Sequence, residues 1–107
     1  MDTKNKKGMP PEEAKACLDK GNVVLIDVRE PDEYAESHIP GAISIPLGTV
    51  AEATVAPHVP DKDSEVLAYC KGGTRSEAAV QKMREMGYTR VRNLGGIRDW
   101  PYEVTKD

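Results

Sequence analysis

The sequence lacks several features on which common classes of protein depend. It contains only two cysteines, Cys17 and Cys70, and only two histidines, His38 and His58. Two cysteines are too few for a disulfide-stabilised scaffold, and no Cys-x-x-Cys pair or His/Cys cluster has the spacing of a zinc site. We therefore predict no disulfide framework, no structural metal and no cofactor.

Long hydrophobic runs and an excess of basic charge are also missing. No apolar run approaches the roughly 20 residues that span a bilayer, and no apolar segment of a secretory signal follows the polar, lysine-rich residues 1–8. The formal net charge of −3 offers no overall attraction for nucleic acid. We expect neither a membrane nor a nucleic-acid partner, and a cytoplasmic location, or a periplasmic one if a signal peptide has been removed.

What is present is the composition of one small globular domain. The chain has 107 residues, of which 38% are hydrophobic and 31% are charged. We predict a flexible arm over residues 1–9 and a single domain over residues 10–107. Apolar, β-branched runs at residues 23–28 and 65–69 are typical of strands buried on both faces. Because helical patterns alternate with them, the sequence indicates an α/β fold with a central, mostly parallel sheet flanked by helices on both faces.

Two further expectations concern the second half of the chain. A strong helical pattern begins at Ser76 and ends at Gly87, and residues 88–93 predict a third short strand. After that strand, Gly95 and Gly96 predict a turn of the chain.

Cys70 is the most informative residue of the sequence. It directly follows the predicted strand 65–69, at the carboxyl end where ligands bind in open α/β sheets. The residues that follow are Lys71, Gly72, Gly73, Thr74 and Arg75. Glycines let successive backbone N–H groups point inward as an anion-binding nest, and the next helix adds its positive N-terminal end. These groups favour a thiolate, so we predict that Cys70 has a lowered pKa and attacks an anionic substrate.

Four segments of the chain together resemble the rhodanese (sulfurtransferase) family. Residues 70–76 (CKGGTRS) are similar to the family's cysteine-x-x-glycine-x-arginine loop. Residues 27–30 (DVRE), residues 33–42 with their HIPGA segment, and residues 94–100 with LGG and a tryptophan resemble three further motifs in the family's order. The resemblance covers residues 10–103, and its departure at Ser37, where the family commonly has glycine, lies away from the loop.

The resemblance implies a rhodanese-like fold and a persulfide intermediate on Cys70. Sulfur would come from a donor such as thiosulfate. It would pass to cyanide or to a thiol, including that of a thioredoxin-like or other sulfur-acceptor protein. The backbone N–H groups of residues 71–75 would stabilise the thiolate and the outer persulfide sulfur, and Gly73 is the family's loop glycine.

The roles of the charged residues near the loop stay open at this stage. Arg75 either touches the anionic donor or holds the loop by pairing with a buried carboxylate. Lys71 either attracts anions or is an ordinary surface residue. Asp27 and Arg29 lie two positions apart on a strand and share one face. The resemblance suggests that they support the site, although a purely structural ion pair explains them nearly as well.

The other reactive side chains receive structural assignments. The family places His38 in a structural turn, and His58 lies in a proline-containing loop that we expect at the surface. Cys17 shares the apolar face of the first helical pattern, which predicts core packing. Trp100 is expected to anchor the C-terminal turn.

Three functions compete with thiosulfate turnover. The domain is alternatively a relay that passes sulfur to another protein, or a binding module without turnover. A cysteine-dependent phosphatase or arsenate reductase is the third alternative, because those enzymes also surround a cysteine and an arginine with backbone N–H groups. Only four residues separate Cys70 from Arg75, one fewer than in those phosphatases, so the loop is expected to suit a sulfur atom better than a phosphate.

Overall fold

A four-stranded parallel sheet forms the centre of the computed structural model, which describes residues 8–106. The strands are β1 (Val23–Asp27), β2 (Ile43–Ser44), β3 (Glu65–Cys70) and β4 (Arg90–Gly96). They are arranged in the order β2-β1-β3-β4, and each neighbouring pair is parallel. The predicted α/β fold with a parallel sheet is confirmed, and the two apolar runs of the sequence are its central strands.

Helices connect the strands. The α-helices are α1 (Pro11–Lys20), α2 (Pro31–Glu36), α3 (Glu52–Val55) and α4 (Thr74–Glu85), with 3-10 turns at Leu47–Thr49 and Ile97–Asp99. The α1 helix shows why the sequence folds this way locally. It begins at a proline and carries Glu12 and Glu13 in its first turn, near the positive end of the helix dipole. It ends at Gly21, whose φ of 84° suits glycine.

The sheet separates two hydrophobic cores because successive strand side chains point to opposite faces. Ile26 and Ala68 lie in the core that contains Met83 of α4, whereas Leu25 and Leu67 lie in the core that contains Ala14 of α1. Cys70 belongs to the α4 side. The thiol is thereby aimed at the beginning of α4.

The two glycines that predicted a turn lie in a strand instead. Strand β4 continues through Gly95 and Gly96, which pair with Tyr69 and Cys70 after a register shift. Gly95 has a φ of 114°, and a Cβ on Gly96 would lie 2.3 Å from the carbonyl oxygen of Lys71. These glycines let β4 pass directly against the loop after Cys70. The α4 helix also begins at Thr74, two residues before the predicted start.

The N-terminal end of the described chain lies against the same strand. The predicted arm falls mostly on residues 1–7, which lie outside the described residues, as does residue 107. Met9 is buried, and its N–H donates to the carbonyl oxygen of Asn93 at 3.1 Å. Over residues 8–106, none of the helices is long and apolar enough to cross a membrane.

Candidate active site

The Cys70 sulfur is surrounded by hydrogen-bond donors at the carboxyl end of β3. The N–H of Gly73 donates to Sγ at 3.0 Å, and the N–H of Ser76 donates to it at 3.4 Å. The Ser76 hydroxyl also lies 3.4 Å from Sγ. Only 1% of the surface of Cys70 is exposed. Gly73 lies within residues 71–75, whose N–H groups were predicted to surround the sulfur, whereas Ser76 lies just beyond that range.

The pKa of Cys70 reflects two opposed effects. Burial of the thiol acts to raise its pKa, because a charged sulfur loses its hydration. Hydrogen bonds from the side chain and the N–H of Ser76, and from the N–H groups of Gly73 and Gly72, act in the other direction. Together they outweigh the burial, and the pKa lies below the ordinary value of a cysteine. The thiolate is the nucleophilic form of the residue.

A left-handed glycine gives the loop its shape. Gly73 is the N-cap of α4 and has a φ of 103°. Residues other than glycine adopt such a positive φ only with strain. This conformation places the N–H of Gly73 on the sulfur, while its carbonyl oxygen accepts from Nδ2 of Asn93 at 3.0 Å. The two peptide units that flank the Cα atom of Gly73 are thus each held by a hydrogen bond.

Asn93 and Ser76 form a polar contact between β4 and the loop that the sequence did not predict. The Ser76 hydroxyl donates to Oδ1 of Asn93 at 2.7 Å, and the N–H of Gly95 donates to the same oxygen at 2.9 Å. The amide nitrogen of Asn93 also reaches Oε1 of Glu77 at 3.1 Å. Both Ser76 and Asn93 are buried. Neither residue stands out in the sequence, because Ser76 lies between Arg75 and Glu77 and Asn93 follows Arg92.

Arg75 supports the loop through an ion pair. Its guanidinium donates to both carboxylate oxygens of Glu33 on α2, at 2.8 and 3.2 Å. The hydrogen bond from Arg75 lowers the pKa of Glu33 to about 2. An ion pair with a carboxylate is what the loop-support interpretation of Arg75 requires, although Glu33 is part-buried rather than fully buried.

Asp27 and Arg29 form a buried ion pair at the end of β1. Nη2 of Arg29 lies 2.7 Å from Oδ2 of Asp27, and Nε of Arg29 contacts both Asp27 oxygens at 3.1 Å. The same Nη2 donates to the carbonyl oxygen of Ser37 at 2.7 Å. The pair therefore joins β1 to the end of α2, the helix that carries the partner of Arg75.

The outer rim of the loop carries exposed charge. Lys71 and Thr74 are exposed, and the carbonyl oxygen of Lys71 accepts from the N–H of Arg98 at 3.3 Å. The Arg98 side chain lies against Gly72, where its Nη2 atom would be 3.1 Å from a Cβ on that glycine. Arg98 was not among the predicted site residues.

The remaining reactive side chains lie apart from the loop. Nδ1 of His38 is 2.8 Å from the carbonyl oxygen of Tyr34, and the two rings stack at 3.7 Å. Cys17 is half-buried and lies 3.5 Å from Nη2 of Arg92. Trp100 is buried, and its Nε1 donates to the carbonyl oxygen of Glu103 at 3.3 Å. These contacts give all three residues structural partners.

Two surface hollows are also separate from the thiol. One of about 500 Å³ is lined by residues that include His38 and Thr105, and one of about 250 Å³ by residues that include Lys15 and Trp100. Neither is lined by a residue of the loop 70–76. In the part of the chain that the structure describes, no group of three or more His, Cys, Asp or Glu residues is arranged to hold a metal ion.

Comparison with known proteins identifies the family. The model of the rhodanese-like domain matches residues 10–102. The chain is 49% identical over 74 residues to thiosulfate sulfurtransferase PspE of Escherichia coli, covering 69% of this chain and 70% of PspE. It is 39% identical over 77 residues to the putative sulfur carrier protein YrkF of Bacillus subtilis, covering 71% of this chain but only 40% of YrkF. A solved structure described as rhodanese with anions from E. coli has a TM-score of 0.74 at 42% identity, covering 79% of this chain and 99% of that one. The chain belongs to the rhodanese-like domain family.

Proposed function

We propose that this protein is a thiosulfate sulfurtransferase that carries sulfur as a persulfide on Cys70. The observation that carries the proposal is the polar environment of Sγ: the N–H groups of Gly73 and Ser76 donate to it, and the Ser76 hydroxyl lies 3.4 Å away. Such donors favour a thiolate before reaction and an anionic sulfur after it. The name of the relative PspE supports the choice of donor.

The first half-reaction loads the cysteine. The Cys70 thiolate attacks the sulfane sulfur of thiosulfate, a new S–S bond forms, and the S–S bond of thiosulfate breaks. Sulfite leaves with the electron pair of the broken bond, and Cys70 is left as an anionic persulfide. The proposal assigns no general base, because the hydrogen bonds that lower the pKa of Cys70 enlarge its thiolate fraction. His38 is likewise not assigned as a base, because its Nδ1 lies 2.8 Å from the carbonyl oxygen of Tyr34.

The second half-reaction returns the thiolate. Cyanide, or the thiolate of an acceptor, attacks the outer sulfur of the persulfide. The bond between this sulfur and Sγ breaks, and the electron pair returns to Sγ. The product is thiocyanate or an acceptor persulfide, and the loop donors again stabilise the released charge on Cys70.

A sulfur relay to another protein is the second candidate. The name of YrkF, a putative sulfur carrier protein, favours it. In a relay the same persulfide forms on Cys70, but a protein thiol, such as that of a thioredoxin-like protein, removes the sulfur faster than cyanide does. The two candidates share the first half-reaction and differ in the acceptor.

Phosphatase or arsenate reductase activity is disfavoured by the position of Arg75. A phosphate-binding loop needs its arginine free to bind the anion in two places. Here the guanidinium of Arg75 is already held by both carboxylate oxygens of Glu33. The short spacing from Cys70 to Arg75 points the same way. We expect no hydrolysis of an aryl phosphate that depends on Cys70.

The test is a loading experiment on the reduced protein. Thiosulfate is added and the intact mass is measured, and cyanide is then added and thiocyanate is assayed, with Cys70→Ser in parallel. The proposal predicts a gain of one sulfur atom that cyanide removes and that the variant lacks. A protein that gains no sulfur from thiosulfate would refute the proposed donor. If sulfur is gained but reaches thioredoxin much faster than cyanide, the relay is the correct assignment.

A further inference from the structure

Arg98 lies against the active-site loop and is fixed there by its backbone. It belongs to the 3-10 turn Ile97–Asp99, which directly follows β4. The N–H of Arg98 donates to the carbonyl oxygen of Lys71, the residue after the nucleophile. Its guanidinium lies over Gly72, where Nη2 and Cζ would be 3.1 and 3.3 Å from an added Cβ. A movement of the loop backbone at Lys71 or Gly72 would therefore also move Arg98.

The charge of Arg98 is uncompensated in the described structure. Arg75 and Arg29 are each paired with a carboxylate, at 2.8 and 2.7 Å. Arg98 is exposed, and over residues 8–106 its side chain makes no hydrogen bond or ion pair. An arginine held beside a reactive thiol, with its donors unused, is suited to bind the oxygens of an anion.

Gly72 makes room for this guanidinium. Unlike Gly73, Gly72 does not have a positive φ, so its backbone conformation does not require glycine. The three atoms that an added Cβ would approach most closely all belong to the Arg98 side chain. The absence of a side chain at position 72 therefore leaves room for the guanidinium against the loop, two residues after Cys70.

We propose that Arg98 binds the negatively charged end of the donor while the sulfur at its other end reacts with Cys70. For thiosulfate, as the function proposed above requires, this end is the sulfonate group. Arg98 thereby selects donors that carry an anionic group next to the transferred atom. Arg75, held by Glu33, does not serve this role.

Two alkylating reagents test the charge preference without any sulfur transfer. Iodoacetate and iodoacetamide have nearly the same size, and both transfer a carbon to the thiolate with loss of iodide, but only iodoacetate is an anion. The alkylation rate of the peptide that contains Cys70 is followed by mass spectrometry at one pH, so that Cys17 does not interfere. The ratio of the two rates cancels any change in the pKa or exposure of Cys70.

Arg98→Gln should lower the iodoacetate-to-iodoacetamide ratio about 2- to 5-fold, the range expected for an exposed ion pair. Gly72→Ala should change the ratio less than Arg98→Gln does, because its methyl group would shift the guanidinium by only a few tenths of an ångström and the charge is retained. The matched control is Arg90→Gln, which removes one exposed cation at the other end of β4 and should leave the ratio unchanged.

An unchanged ratio in Arg98→Gln overturns the proposal, as does an equal fall in Arg90→Gln, which would indicate only a general effect of net charge. The thiosulfate reaction is then measured separately. If Arg98→Gln lowers the ratio but the wild type never gains sulfur, the anion site stands and the proposed donor fails. If the wild type gains sulfur and the ratio does not change, Arg98 fails and the sulfurtransferase stands.

Discussion

Removing the Ser76 hydroxyl is expected to make Cys70 a weaker acid while leaving its attacking atom unchanged. In the structure this hydroxyl lies 3.4 Å from Sγ and 2.7 Å from Oδ1 of Asn93, and it has a single proton to donate. A hydrogen bond to a charged group contributes about 1.5–3 kcal/mol. Because the Sγ contact is long and competes with Asn93, Ser76→Ala should fall at the low end of this range, about 1.5 kcal/mol. That free energy corresponds to about a tenfold smaller thiolate fraction at a pH below both pKa values.

The assay is the rate of Cys70 alkylation by iodoacetamide, measured from pH 5 to pH 10. The wild type should show a midpoint below the ordinary cysteine value of about 8.5, because the loop donors lower the pKa of Cys70. Ser76→Ala should shift the midpoint upward and react about tenfold more slowly on the acidic limb. On the alkaline limb the variant should react at least as fast as the wild type, because a less stabilised thiolate is more nucleophilic.

Two comparisons make this experiment decisive. Ser64→Ala removes a hydroxyl from the segment before β3, at the opposite end of the strand from Cys70, and should reproduce the wild-type profile. Circular dichroism should show that Ser76→Ala remains folded. The same midpoint in Ser76→Ala and the wild type would show that the hydroxyl does not stabilise the thiolate, and the stated cause of the lowered pKa would be wrong.

Three other perturbations follow from contacts of the site. Gly96→Ala should destabilise the fold by about 3 kcal/mol and slow sulfur loading, because its Cβ would meet backbone atoms of the loop. The control Gly48→Ala places its methyl group in open space and should change stability by less than about 0.5 kcal/mol. Urea unfolding measures the stability of both variants. Glu33→Gln should lower stability at pH 7 by about 0.5–1 kcal/mol. The pKa of Glu33 is lowered to about 2 in the folded protein, so the stability difference between Glu33→Gln and the wild type should be fully present above the pKa of Glu33 in the unfolded chain. It should vanish as the pH falls toward 2. A stability difference that does not change with pH would exclude the Arg75 pair as its source. Cys17→Ser should gain sulfur from thiosulfate like the wild type, and loss of loading would show that the two thiols act together.

The parts of the fold that the sequence predicted are those set by local pattern. The run that becomes β1 and the run that becomes β3 are apolar on both faces, which is enough to place them in the middle of a parallel sheet. The position of Cys70 at a strand end, and the glycines after it, follow from a segment of only a few residues. The place of Cys70 between a strand end and a helix start could therefore be predicted without knowing how the rest of the chain packs.

What the sequence did not predict depends on contacts between distant segments. Asn93 is 20 residues from Gly73, whose carbonyl oxygen accepts its amide hydrogen. Gly96 was assigned to a turn because two successive glycines usually break a strand. The structure shows another reason for its lack of a side chain, namely the approach of the loop backbone within 2.3 Å of its Cβ position. Arg98 likewise became informative only when its place over Gly72 was known.

The lowered pKa of Cys70 depends on β4 as much as on its own loop. A thiol that is 1% exposed at a strand end should be inert, because burial alone acts to raise its pKa. The loop donors reverse this effect only while they stay aimed at the sulfur. Asn93 keeps them there, since it binds the carbonyl oxygen of Gly73 and the hydroxyl of Ser76 from the neighbouring strand. Substitutions on β4 that leave Cys70 and its loop sequence intact should therefore still raise the pKa of Cys70.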